Sequence, residues 1–190
     1  EKTSRGPQVF VSRTHPGLLR RLFELEVPEI YEGIVEIKTI AREAGDRSKI
    51  SVFTNQAEVD PIGSCVGSRG ARVQSISTEL NGEKIDIVEW SADPVVFVAN
   101  ALNPSKVLDV QVNEEDRSTT VIVPGYQLSL AIGKRGQNAR LAAKLTGWKI
   151  DIQSETDARI LGIYPSVVDD VSTEDEAELE PIAFYAEGAD

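Results

Sequence analysis

Val66-Gly67-Ser68-Arg69-Gly70-Ala71 and Ile132-Gly133-Lys134-Arg135-Gly136-Gln137 repeat one arrangement 66 residues apart: an apolar residue, then two glycines bracketing a polar pair. The stretches that follow also match. Leu80-Asn81-Gly82-Glu83-Lys84-Ile85-Asp86-Ile87 answers Leu145-Thr146-Gly147-Trp148-Lys149-Ile150-Asp151-Ile152. With 14 glycines in 190 residues, about one Gly-x-x-Gly arises by chance, so a single copy would be a tight turn and no more. Two copies in the same frame are a repeat, and the chain must fold as two versions of one unit.

Periodicity supplies the content of that unit. Pro16-Gly17 opens a stretch with apolar residues at 18, 19, 22, 23 and 25, a helix stopped before Pro28. Gly33 to Ala41 alternates and predicts a strand, 42–47 a loop or hairpin turn, and Lys49 to Phe53 a second strand. A short helix from about Val59 leads into the first Gly-x-x-Gly. A longer one runs from Ala71 to Leu80, Asn81-Gly82 ends it, and Lys84 to Trp90 is a strand. Asp93-Pro94 starts a helix that continues to Leu102, with a cap acceptor followed by proline at the first helical position. That helix can both lead the second unit and join the two. Lys106 to Val112 and Thr119 to Val123 predict paired strands around a turn at Asn113–Asp116. A short helix over Gln127–Ile132, a helix over Gln137–Leu145 and a strand over Trp148–Gln153 complete the second copy. Each unit is therefore helix, strand, strand, helix, Gly-x-x-Gly, helix, strand. Such a pattern makes an α+β layer, a three-stranded sheet with helices on one face.

The ends do not belong to the repeat. Gln8 to Ser12 is a lone strand-like piece, expected to complete a domain upstream, and the absence of any methionine marks the chain as a piece of a longer protein. Beyond Ser154 the pattern fades, and 158–190 is expected to be an acidic, disordered tail. Residues 155–190 hold eleven acids against the single base Arg159, so the net charge of −11 belongs almost wholly to this tail. Within the body the charge is patterned differently. No acid lies between Asp116 and Asp151, a window that contains Arg117, Lys134, Arg135, Arg140, Lys144 and Lys149. Likewise Asp60 and Glu79 enclose only Arg69 and Arg72. Positive charge is local and surrounds the repeated loop.

Several functions are disfavoured. One histidine (His15) and one cysteine (Cys65) cannot make a zinc site or a Cys/His nucleophile pair, and Cys65 is expected to be a buried small hydrophobe. No Gly-x-x-x-x-Gly-Lys-Ser/Thr occurs, and the carboxylates of the body fall singly on strands or in turns. No run of eighteen apolar residues is present to cross a membrane as a helix. A binding module without cofactor, metal or catalytic residue is expected.

The loop itself suggests the ligand. Glycines allow the positive φ that ends one helix and the close passage of another backbone. The second helix starts at the loop, so its free N–H groups and dipole favour an anion there. Ser68-Arg69 and Lys134-Arg135 add donors and charge. A phosphodiester backbone fits, with bases lying over the adjoining sheet edge and helix.

On these residues the unit resembles the type II KH domain, the RNA-binding module whose Gly-x-x-Gly loop holds about four nucleotides of a single strand. The tandem pair, with Ser12-Arg13-Thr14-His15-Pro16-Gly17-Leu18-Leu19 ahead of it and Glu24-Leu25-Glu26-Val27-Pro28-Glu29 entering it, is similar to that of bacterial transcription elongation and termination factors. The resemblance covers about residues 8–165 and implies a division of the chain. Residues 1–15 would end an upstream OB-fold domain, 16–104 the first KH domain, and 105–157 the second, sharing the joint helix 94–102. It implies a cytoplasmic monomer that binds the nascent transcript. The full-length protein would contact RNA polymerase and other elongation factors in pausing, termination and antitermination. Carried over by position, the clamp residues are Gly67, Ser68, Arg69 and Gly70, and Gly133, Lys134, Arg135 and Gly136. Gln137 and Asn138 extend the second motif, and Arg72 and Arg140, one or two turns further on, would face flanking phosphates. Ser68 in place of a second cation makes the second loop the stronger electrostatic site. The alternative is a KH appendage of an RNA-processing enzyme, or a ribosome-associated RNA-binding protein.

Overall fold

A computed structural model describes residues 2–3, 6–7 and 9–165. A two-residue ladder pairs β1 (Lys2–Thr3) with β2 (Gly6–Pro7) near the start of the chain. α1 (Pro16–Glu26) then begins where His15 accepts a hydrogen bond from the Gly17 N–H on Nδ1, and it buries Leu19 and Phe23. Pro28 cannot continue that helix; it opens a further turn, α2 (Pro28–Tyr31). β3 (Val35–Glu43) and β4 (Arg47–Thr54) form an antiparallel hairpin with a bulge at Ile37/Thr39. α3 (Pro61–Val66) and α4 (Ala71–Glu79) flank the first Gly-x-x-Gly, and β5 (Lys84–Glu89) returns parallel to β4. α5 (Pro94–Ala101), capped by Asp93, crosses to the second unit. There β6 (Asp109–Asn113), β7 (Ser118–Val123), α6 (Leu128–Ile132), α7 (Gln137–Thr146) and β8 (Lys149–Ser154) repeat the order. The sheets run β3-β4-β5 and β6-β7-β8, each with its last pair parallel.

Within each unit the expected layer stands. Leu19, Phe23, Val35, Ile37, Ile50, Val52, Cys65, Ile76 and Leu80 make the first core, between the sheet and its own helices. What periodicity did not reveal is the other side of that sheet. Ala41 of β3 and Val88 of β5 belong to the second core, packed with Phe97, Val98, Ala101 and Leu102 of the joint helix and with Leu141, Ala142 and Leu145 of α7. α7 lies across β3 and β4. β4 is consequently buried on both faces from Ser48 through Val52, the signature of a strand between two layers. The second core is thus built from both units.

A lysine is sealed into this junction. Lys49, 0% exposed, donates from Nζ to the Asn103 carbonyl at 2.8 Å and lies 3.1 Å from Asp86 Oδ2. Burial pushes its pKa down, with Asp86 opposing. Nearby, Glu83 pins the hairpin to the turn before β5, accepting from Arg42 Nε and Nη2, the Ser48 hydroxyl and the Gly45 N–H. Burial works to raise the Glu83 pKa, but these donors outweigh it and hold the carboxyl below its usual range.

Two expectations are corrected at the ends. Residues 9–12 form no strand, and Val9, Phe10 and Val11 are exposed, because alternation makes a strand only where a neighbouring strand takes up its N–H and C=O groups. Past Ser154 the chain does not fade at once. α8 (Glu155–Ile160) follows, with Ser154 Oγ accepting from the Asp157 N–H and donating to its carboxylate, and with Ala158 buried. The helix lies against β7, so the expected tail cannot start at 158. The remainder of that acidic segment, 166–190, lies outside the described residues.

A shared core predicts shared unfolding. Trp90 packs on Phe53 of β4 and Phe97 of the joint helix, whereas Trp148 precedes β8, so a Trp148→Phe chain reports the first sheet at its junction and a Trp90→Phe chain the far sheet. Urea transitions followed by fluorescence should coincide in the two variants; separate midpoints would show that the units fold independently.

Candidate nucleic-acid interface

The two Gly-x-x-Gly loops have the same backbone to within a few degrees. Gly67 is at φ 73°, ψ 174° and Gly133 at φ 77°, ψ 170°. Arg69 (53°, 27°) and Arg135 (54°, 29°) are left-handed, as are Gly70 (78°, 13°) and Gly136 (72°, 16°). The first glycine of each loop occupies a region essentially restricted to glycine, and the left-handed arginines cost roughly 1–2 kcal/mol each. The first glycine is also needed for space. A Cβ on Gly67 would fall 2.7 Å from Arg72 Cγ, and one on Gly133 2.8 Å from both Asn138 Cβ and the Asn138 backbone nitrogen. Around Gly136 nothing lies within 4 Å of such a Cβ; that side of the loop is open.

This strained path frees donors. Gly70 and Gly136 close each turn by donating to Gly67 and Gly133. The N–H groups of Ser68, Arg69, Lys134 and Arg135 donate to no group among the described residues. They stand at the starts of α4 and α7, where the helix dipole adds partial positive charge. The side chains of Ser68, Arg69, Lys134 and Arg135 are exposed beside them. Each leading helix also packs on an edge strand, α3 on β5 and α6 on β8. Half-buried Val66, Ile85 and Ile87 flank the first loop, and partly exposed Ile132, Ile150 and Ile152 the second. Anion donors beside an apolar strip suit a chain of phosphates carrying flat apolar bases.

Four residues expected at the ligand are committed elsewhere. Arg72 donates from Nη1 to Glu29 Oε2 at 2.9 Å and to the Ser64 carbonyl at 2.6 Å, tying α4 to α2 and α3. Asn138, 2% exposed, donates from Nδ2 to the carbonyls of Leu102 and Ala131, while its Oδ1 has no partner among the described residues. Gln137 Nε2 donates to Glu43 Oε2 and Asp46 Oδ2 of the first unit's hairpin. Arg140 grips Glu43 with Nε at 2.7 Å and Nη2 at 3.2 Å, and its Nη1 donates to the Arg135 carbonyl. These are struts. Gln137 and Arg140 latch the second loop to the first unit, and Arg140 also braces the left-handed Arg135. Nothing local marks the latch, since its partners lie more than ninety residues apart. The hydrogen bond from Arg140, aided by that from Gln137, brings the Glu43 pKa down to about 2.

Cys65 is buried, and burial pushes its thiol up to about 12. Among the described residues no three His, Cys, Asp or Glu side chains gather where they could hold a metal ion.

Comparison with known proteins also finds two KH units in tandem. A family description of a NusA-like first KH domain matches residues 13–90, and one of a NusA-like second KH domain matches 94–160. The transcription termination/antitermination protein NusA of Bacillus subtilis (strain 168) is 79% identical over 165 residues, 87% of this chain and 44% of that protein. NusA of Mycobacterium tuberculosis (strain H37Rv) is 57% identical over 153 residues, 80% of this chain and 44% of that protein. NusA of Rickettsia prowazekii is 50% identical over 155 residues, 80% of this chain and 31% of that protein. The chain thus spans less than half the length of these relatives. The crystal structure of APE1850 shares the fold, with a TM-score of 0.54 at 23% identity, covering 73% of this chain and 97% of that one.

Two outcomes test the geometry. The depressed Glu43 carboxyl stabilises the fold fully above its unfolded value of about 4.3; that contribution fades as pH falls through about 2. The stability gap between the native chain and Glu43→Gln, measured by urea unfolding, should therefore be constant above about pH 5 and shrink towards pH 2. An unchanged gap across that window would refute the latch. Gly133→Ala should lower the thermal midpoint more than Gly136→Ala, because only the former adds a clash with backbone to the unfavourable φ; equal losses would show that conformation alone decides.

Proposed function

Because this chain belongs to the NusA family, we propose that its two KH units together clamp one single strand of RNA. The carrying observation is the duplicated loop: two sets of unpaired N–H donors in the same conformation, held in fixed relation by a common core. Each loop takes phosphate oxygens on its free N–H groups and on its flanking polar pair. The apolar strips along β5 and β8 take the bases, so phosphate contacts set the register and base contacts supply any sequence preference. Once one loop is occupied, the other meets the same strand at high effective concentration, and two weak sites act as one stronger site. The names of the relatives support placing this platform in transcription termination and antitermination; we read it there as a non-enzymatic monomer in the cytoplasm. There its RNA would be the nascent transcript, and RNA polymerase and other elongation factors would be met through the rest of the protein.

Titration of a 12-nucleotide mixed-sequence single-stranded RNA tests this directly. Lys134→Asp with Arg135→Asp should weaken binding at least about 10-fold and flatten the salt dependence by about 0.7 for each phosphate no longer neutralised. Ser68→Asp with Arg69→Asp should weaken it less, since only one cation is removed. Full affinity in both folded variants would overturn the reading.

A further inference from the structure

The second loop does not open onto plain solvent. It faces a cleft of about 400 Å³ whose opposite wall belongs to the first unit. Gly133, Lys134 and Arg135 form one side, and Arg47 of β4 and Lys84 at the start of β5 stand on the other. Lys84, Lys134 and Arg135 are exposed side chains with no ion-pair or hydrogen-bond partner among the described residues. Arg47 is bound to Asp86 through Nε at 2.8 Å and Nη2 at 3.0 Å, but the same carboxylate also serves Lys49, so one acid faces two cations. On the rim, Glu43 is neutralised by Arg140. That leaves Asp46, held by the uncharged Gln137, as the one rim carboxylate without a cationic partner among the described residues. The cleft is therefore cationic on balance, with its charge contributed from both units. The latch of Gln137 and Arg140 onto the hairpin fixes the two walls against each other.

We propose that this cleft is a composite phosphodiester site, in which Lys84, with Arg47 behind it, completes the clamp of the second loop. Lys84 lies in the first unit by sequence but serves the second. The backbone of a strand leaving the β5 groove of the first unit meets Lys84 just before it reaches Lys134 and Arg135. The two KH units then form a single phosphate track with no neutral gap at their junction. This inference rests on the reading of the loops as phosphodiester clamps.

The test uses the full chain, the same 12-nucleotide RNA, and Lys84→Ala placed in three backgrounds. In the native background it should weaken binding about 5-fold, the size of one exposed charge–phosphate pairing, and flatten the salt slope by about 0.7. The effect should persist with the first loop disabled by Ser68→Asp and Arg69→Asp, and vanish with the second disabled by Lys134→Asp and Arg135→Asp. Circular dichroism and thermal midpoints check that every variant is folded, and exposed Lys84 holds no neighbour in place by its side chain. If the Lys84 effect vanishes instead with the first loop disabled, or persists equally in both backgrounds, the composite site is wrong while the clamps stand. The same holds if Lys84→Ala changes nothing although Lys134→Asp with Arg135→Asp does. If the loop variants themselves leave affinity intact, the clamp reading falls and the composite site with it.

Discussion

The structure depends on one burial: the back face of the β3-β4-β5 sheet lies under the helices of the following unit. A three-stranded sheet with helices on one side leaves its other side open. Here Ala41 and Val88 are closed over by the joint helix and α7. That packing turns two small units, each short of interior, into one body with a core large enough to hold it. It also explains Lys49. A buried ammonium is costly to desolvate, by several kcal/mol. It persists because Asp86 and the Asn103 carbonyl receive it where the first sheet meets the segment entering the second unit. Removing Asp86 would leave that buried ammonium without its counter-charge.

Fixing the units sets the spacing of two loops of matched geometry. Their backbones agree within a few degrees although their surroundings differ. Arg140 braces the Arg135 carbonyl, whereas Gln74, at the matching position after the first loop, makes no such bond to Arg69. The first loop reaches the same angles without that support. The conformation must therefore come from what the two share: a glycine with no room for a Cβ ahead of a helix start, and a second glycine that closes the turn in the left-handed region. Side chains around the loop are free to differ, and they do.

What was legible in the sequence was local. The periodicity of 2 and 3.6, the cap at Asp93 and the matched Lys-Ile-Asp-Ile strands placed the elements of both units within a few residues. The Ser154–Asp157 capping pair was equally readable, yet a fading hydrophobic pattern hid α8 behind it. Val9-Phe10-Val11 misled in the opposite direction, as alternation without a partner. The partners of the site residues were hidden for another reason. Arg72 and Arg140 stand in acid-free windows of sequence, which suggested charges left over for a ligand. Their acids come from 43 and 97 residues away, beyond any local window. Asn138 looked like part of a polar motif because nothing in the chain announces that its position faces inward.

Those long-range partners change where the charge resides. With Arg72 held by Glu29, the first loop keeps only Arg69 as a free cation beside it among the described residues. With Arg140 held by Glu43, the second keeps Lys134 and Arg135, and Lys84 faces them across the cleft. The imbalance suggested by Ser68 is thus larger in space than along the chain. On the proposed reading the second loop is the electrostatic anchor, drawing the strand in from a distance that salt can shorten. The first loop, with weak charge and the β5 strip of Val66, Ile85 and Ile87, depends more on what the bases can bury. A tandem of near-identical folds then divides the labour of recognition, because phosphates are the same in every sequence and base edges are not.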